Sequence, residues 1–166
     1  MTRITAFAMA VLVAAFTGGT APAGAESTPP LKGEVLGSFF FHACPAEAPT
    51  GALCLHDDVT GTLTHLGLTT GTFEVVFDVA VFGQDGCGPI RKKGSFTAAN
   101  GDRVDVEAEG TFCFGTQVAR YDFQVTGGTG RFAGSSGTGS WLAPAPAMFD
   151  GVTGTGDEFL NGVLVR

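Results

Sequence analysis

From Arg103 to Phe114 apolar residues recur at every second position. Val104, Val106, Ala108, Phe112 and Phe114 share one parity, and Arg103, Asp105, Glu107, Glu109 and Thr111 the other. Successive side chains of a strand point to opposite faces, so this pattern predicts a strand with one dry and one wet face. Ala99-Asn100-Gly101-Asp102 precedes it, and Asn-Gly marks a tight type I′ hairpin turn. Lys93 to Ala98 is then the partner strand. Thr72 to Phe82 alternates as well, with Phe73, Val75, Phe77, Val79 and Val81 opposite Glu74 and Asp78. Gln117 to Val125 sets Tyr121, Phe123 and Val125 against Arg120, Asp122 and Gln124. Further strands are expected near 33–43, 59–68, 131–142 and 154–165, about eight in all.

Helix is disfavoured throughout. Glycine supplies 26 of 166 residues, more than twice the usual ~7%. It sits mostly beside threonine, serine or phenylalanine, as in Gly71-Thr72-Phe73 and Gly154-Thr155-Gly156. Backbone entropy in glycine and χ1 restriction in β-branched residues both oppose helix. A meander of about eight strands must hide its two edges, and closing into a barrel removes them. Ala143-Pro144-Ala145-Pro146 reads as a stiff surface connection.

The first 25 residues have the organisation of a secretory signal peptide. Arg3 is followed by the apolar run Ile4 to Phe16 and then Ala23-Gly24-Ala25, an A-x-A cleavage pattern. The expected product begins at Glu26, with a mobile lead-in over 26–32 and one β-barrel domain over 33–166. It is secreted and extracellular, with no membrane association once the signal is removed. The net charge of −7 disfavours nucleic acid, whose phosphates need lysine and arginine. The one basic run, Arg91-Lys92-Lys93, reads as a solvated turn. Four cysteines in an exported chain imply two disulfides. Three pairings are open. Cys44–Cys54 and Cys87–Cys113 are favoured because each closes a loop local to a hairpin, and they would contribute about 3 and 3.5 kcal/mol. A four-cysteine zinc site would need C-x-x-C pairs, which are absent.

The stretch Phe123-Gln124-Val125-Thr126-Gly127-Gly128-Thr129-Gly130-Arg131-Phe132-Ala133-Gly134-Ser135-Ser136-Gly137 resembles the "GGTG-basic-Phe" signature of dirigent proteins. It is also similar to the matching segment of bacterial exported proteins of the allene oxide cyclase barrel-like superfamily, as are Thr64-His65-Leu66-Gly67 and the Asn100-Gly101 turn. The resemblance implies an all-β, eight-stranded antiparallel barrel with an apolar central cavity, a monomer or, as in some relatives, a homotrimer. It implies a superfamily of cyclases and of proteins that orient reactive intermediates. Within the motif, Gly127, Gly128, Thr129 and Gly130 provide a sharp turn, and Arg131-Phe132 returns the chain to the core. It is not a phosphate loop, because no helix-forming sequence follows it.

Candidate chemistry is sparse, and no catalytic residue is assigned. His65, in Leu63-Thr64-His65-Leu66, would be a titratable group in an apolar cavity if its strand turned it inward. Tyr121, the single tyrosine, could orient a ligand or donate a proton. Phe77 and Phe123 are further ligand-contact candidates. Glu74 and Asp78 lie two pleats apart, roughly 13 Å, too far for a glycosidase pair. His42 and His56 flank Cys44 and Cys54, and Asp57 or Asp58 could join them on a metal, but the spacing matches no known site, so no metal and no cofactor is expected. Gly134-Ser135-Ser136-Gly137 lacks the G-x-S-x-G spacing of a serine nucleophile. Fifteen phenylalanines against one tyrosine and one tryptophan favour binding or orienting a small apolar molecule inside the barrel. The alternatives are a cofactor-independent cyclase or isomerase in the same cavity, and a non-catalytic barrel filled by its own side chains.

Overall fold

The alternating segments form strands that pair in chain order. The computed structural model describes residues 29–166, so the signal peptide and residues 26–28 lie outside the described residues. The strands are β1 (Pro30–His42), β2 (Leu53–Leu63), β3 (Gly67–Phe77), β4 (Cys87–Ala98), β5 (Arg103–Cys113), β6 (Val118–Gly128), β7 (Ser136–Ala143), the two-residue β8 (Met148–Phe149) and β9 (Thr153–Val165). Each is antiparallel to its neighbours, and β9 pairs back onto β1 from Pro30↔Val163 to Phe40↔Thr153. Eight strands therefore close an antiparallel barrel, while β8 adds a short bridge along β9.

Connections alternate between the two ends. The closed end carries the β2–β3, β4–β5 and β6–β7 turns and is plugged by Leu31, Leu63, Leu66, Ala98, Val104, Phe132 and Leu164, all buried. Above this plug the interior is filled by large rings set against glycine. Phe73 lies with its ring centroid 4.9 Å from Phe96 and 5.0 Å from Trp141. A Cβ on Gly71 would come within 2.8 Å of Phe73 and 3.0 Å of Phe96. Phe123 fits because Gly139 and Gly162 each leave it the space a Cβ would take, 2.7 Å from its ring. Alternating large and small residues is how a narrow barrel packs its taper.

The glycine signature belongs to the closed end. Gly130 has φ 57°, and a Cβ there would strike the Asp102 carboxylate. Arg131 Nε lies 3.4 Å from Asp102, Thr129 Oγ1 accepts from the Arg103 amide at 3.1 Å, and Phe132 is fully buried. The motif thus clamps the β6–β7 connection onto the β4–β5 turn. In that turn only Gly101 is left-handed. Asn100 instead holds Asp102 through its side chain, accepting from the Asp102 amide at 3.2 Å, so the expected type I′ turn is not the one formed.

Three further expectations are corrected. The strand over 59–68 is two strands, because Leu63 and Leu66 are both buried although three apart, a spacing no strand allows. Thr64-His65-Leu66 is the turn between them, with His65 at φ 68° and Thr64 Oγ1 donating to the Pro30 carbonyl at 2.6 Å. The lead-in does not reach residue 32, since Pro30, Leu31 and Lys32 begin β1 and Leu31 is buried. The basic run is no solvated turn. β4 pairs with β5 from Cys87↔Cys113 to Thr97↔Arg103, and the pleat turns Lys92 inward while Arg91 and Lys93 stay exposed.

Both disulfides form as the hairpin argument expects, Cys44–Cys54 and Cys87–Cys113, with Cα separations of 5.1 and 4.0 Å. They staple the open end, which lacks the apolar plug of the other. The oxidised, denatured protein should therefore take up no thiol reagent. Labelling of any cysteine, read by intact mass, would count against the pairing.

Candidate functional site

The open end leads into a pocket of about 130 Å³. Its walls come from the inward residues at the ends of β1, β2, β3, β4, β5 and β6, together with the segment after β7. Phenylalanines make an arc around the mouth. Phe39 lies 6.5 Å from Phe41 and Phe41 6.2 Å from Phe77, while Phe77 lies 5.0 Å and Phe114 5.2 Å from Phe112. Phe149, from β8, closes over Phe39 and Phe41 at 6.0 and 6.3 Å. Leu55, Val75, Ile90 and Ala119 complete the apolar wall.

The floor is polar. Lys92, only 2% exposed, donates to Asp57 Oδ2 at 2.5 Å and to Glu158 Oε2 at 2.7 Å. Trp141 Nε1–H also donates to Glu158 Oε2, at 2.6 Å. The ammonium lies 3.8 Å from the centre of the Trp141 ring, a cation–π contact out of water. Each acid or base occupies the apolar parity of its strand: Asp57 between Leu55 and Val59, Lys92 between Ile90 and Phe96, Glu158 before Leu160.

Burial sets the titration of this cluster. It pushes the Glu158 carboxyl up to about 7. Lys92 opposes that rise, while the Asp57 charge and a hydrogen bond shared with Asp57 add to it. Asp57 Oδ1 is buried without a partner among the described residues and lies with Glu158 Oε1 beside Gly37. For Lys92, burial alone would lower the ammonium, but the pull of Glu158 and Asp57 outweighs it and the net shift is upward. Tyr121 is held well above its ordinary range by burial and then by the two carboxylates, so it stays a neutral phenol. At neutral pH the floor offers a weakly held proton, a neutral phenol and an ion pair.

The residues singled out in the sequence divide between the two ends. Tyr121 and Phe77 line the pocket. Phe123 does not, being packed below it against Gly139 and Gly162. His65 is exposed in a turn at the opposite end of the barrel and does not line this pocket. His42 and His56 do not converge either: His42 Nε2 meets Glu74 at 2.9 Å and His56 Nε2 meets Asp58 at 3.2 Å. Asp78 lies beyond the end of β3. Lys92 and Glu158 were missed, and Asp57 was considered only as a metal ligand. Their signal was available as charged residues at the apolar phase of otherwise regular strands.

Fold and site together define a closed β-barrel with an aromatic-collared pocket over a buried carboxylate–lysine cluster. No family model and no curated protein matches the chain. Among solved structures, that of a pterocarpan synthase dirigent protein is similar at 12% identity, over 86% of this chain and 88% of that one, with a TM-score of 0.49.

Proposed function

We propose that this barrel is an exported binding protein that takes a small, mostly apolar molecule into its open end and orients it against the polar floor. The observation that carries the reading is the pocket itself. A barrel of this size can fill its interior completely, and here the closed half does so. The open half instead keeps about 130 Å³, walled by phenylalanine and floored by charge. An engineered apolar cavity of about 150 Å³ takes up benzene, so the inner part suits one ring, with the remainder of a larger ligand passing through the mouth. Drug-sized molecules need roughly 300 Å³ or more and would fit only partly.

Ala119 sits in the wall and is 5% exposed. Ala119→Leu would fill the space beside Tyr121 and should weaken binding of a one-ring probe such as benzyl alcohol about tenfold, ~1.4 kcal/mol, roughly the contact of two methylenes at ~0.8 kcal/mol each. Titration followed by NMR of the pocket methyl groups reads this directly. Equal affinity in the two proteins would place the probe elsewhere and remove the reading.

A second reading, an isomerase or cyclase working by proton transfer, is favoured by one feature: the Glu158 carboxyl, near 7, lies at the pocket floor. A general acid works best with a pKa near the working pH. Turnover of a one-ring unsaturated substrate should then fall as pH rises through 7 and vanish in Glu158→Gln. Turnover that survives this substitution would eliminate it.

A further inference from the structure

The pocket floor is one positive charge short. Asp57 and Glu158 present two carboxylates to a single ammonium. That ammonium is committed, with one donor to each acid and its remaining face on the Trp141 ring. The indole N–H is also spent on Glu158. What is left over is acceptor capacity. Among the described residues Asp57 Oδ1 has no partner, although Asp57 is 2% exposed. Asp57 Oδ1 and Glu158 Oε1 both flank Gly37 of β1, where a Cβ would lie 3.1 Å from the first and 2.8 Å from the second. Two carboxylate oxygens without a cation thus converge where β1 contributes no side chain, and the same two carboxylates line the pocket.

The walls suit the same charge. Aromatic faces carry negative quadrupole density and attract organic cations, most strongly out of water. Phe39, Phe41, Phe77, Phe112 and Phe149 all line the pocket. Among the described residues no lysine or arginine lines it apart from Lys92. An anionic head would find no uncommitted cation there, and two buried carboxylates facing it.

We infer that the pocket selects a lipophilic amine, a single-ring apolar body held in the phenylalanine collar whose protonated nitrogen supplies the missing positive charge to Asp57 and Glu158. This deepens the binding role proposed above and rests on it. In the free protein a proton stands in for the cation, shared between Glu158 and Asp57. The ionisable groups that face Glu158 are Asp57 from β2, Lys92 from β4 and Tyr121 from β6. At this level β1, β3, β5 and β7 present Gly37, Phe73 and Val75, Ala108, and Trp141, none of which titrates. The arriving ammonium displaces the shared proton, Glu158 ionises, and two positive charges then balance two negative ones. Amine binding therefore releases one proton below neutral pH, and its affinity rises with pH until Glu158 is already ionised.

The test is calorimetric titration of the oxidised protein with benzylamine, benzyl alcohol and benzoate, at pH 5.5 and 7.5, in two buffers of different ionisation enthalpy. Benzylamine should bind at least about tenfold more tightly than benzyl alcohol at pH 7.5 and lose at least about tenfold at pH 5.5, with proton release at the lower pH. Benzyl alcohol should not change, and benzoate should be weakest. In Glu158→Gln the amine should lose both its advantage over the alcohol and its pH dependence, with an unchanged circular dichroism spectrum and cooperative unfolding reporting an intact barrel. An alcohol that binds as well as the amine at pH 7.5, or a preference for benzoate, would overturn the charge assignment and leave the pocket standing. Failure of all three probes would overturn the pocket reading and this inference with it.

Discussion

Lys92→Met should destabilise the barrel by about 3–5 kcal/mol, the usual cost of removing one partner from a buried ion pair. Methionine nearly matches the lysine stem in length and apolar character, so packing against Trp141 and Phe73 is largely kept. What disappears is the charge between Asp57 and Glu158, which are 2% and 7% exposed. Two desolvated carboxylates then face each other with no cation. They can relieve the repulsion only by taking up protons, so the loss should be greater at pH 8 than at pH 5. Domains of this kind have total stabilities of roughly 5–15 kcal/mol, so the change should be plain in urea unfolding. Lys93→Met is the control: its side chain is 74% exposed, beside Glu107, and its loss should change little. Adding Asp57→Asn and Glu158→Gln to Lys92→Met should recover much of the deficit, because the orphaned charges go with the cation. Wild-type stability in Lys92→Met alone would show that the cluster does not hold the charges described.

The second large effect is a dependence of stability on pH that runs opposite to ordinary acid denaturation. Glu158 has a folded-state pKa of about 7, against 4.5 for the free carboxyl. Between these values the native state holds a proton that the unfolded chain has lost. Unfolding then releases a proton, and stability falls as pH rises. The slope reaches about 1.4 kcal/mol per pH unit and totals about 3 kcal/mol between pH 4.5 and 7, with no further change from this group above 7. Melting temperature should therefore drop by roughly 10 °C across that window, on the usual scaling for a chain of this size. Glu158→Gln mimics the protonated acid: its carbonyl accepts from Lys92 and Trp141, and its amide donates to Asp57. Subtracting its pH profile from that of the native sequence isolates the contribution of this group. Parallel profiles would mean that Glu158 is ionised throughout.

How far the sequence could be read depends on which interactions are local. The alternation from Arg103 to Phe114 yields β5 nearly to the residue, because a strand's two faces are written in neighbouring positions. The two disulfides were legible for the same reason: each closes a hairpin between strands adjacent in sequence, through Cys44–Cys54 and Cys87–Cys113. Leu63-Thr64-His65-Leu66 was misread because a short β-rich stretch carries the same composition whether it continues or turns. The Thr64 contact to Pro30 that pins the turn lies 34 positions away. The expectation that a strand could turn His65 into the cavity followed from that one error.

The basic run failed differently. Arg91-Lys92-Lys93 is hydrophilic as a triplet, and composition averages over the pleat that separates Lys92 from its neighbours. Lys92 is stable inside because Asp57, 35 positions before it, and Glu158, 66 after it, arrive at the same level of the barrel. Sequence alone determined that this chain makes paired strands, where most of them turn, and that they close, since period-two patterning, glycine turns and edge avoidance act within or between adjacent strands. Only the tertiary structure decided that one half of the barrel is filled and the other open, and that three charged residues from non-adjacent strands share its floor. Those outcomes depend on stagger around the cylinder and on the summed volume of inward side chains, quantities that no single strand contains.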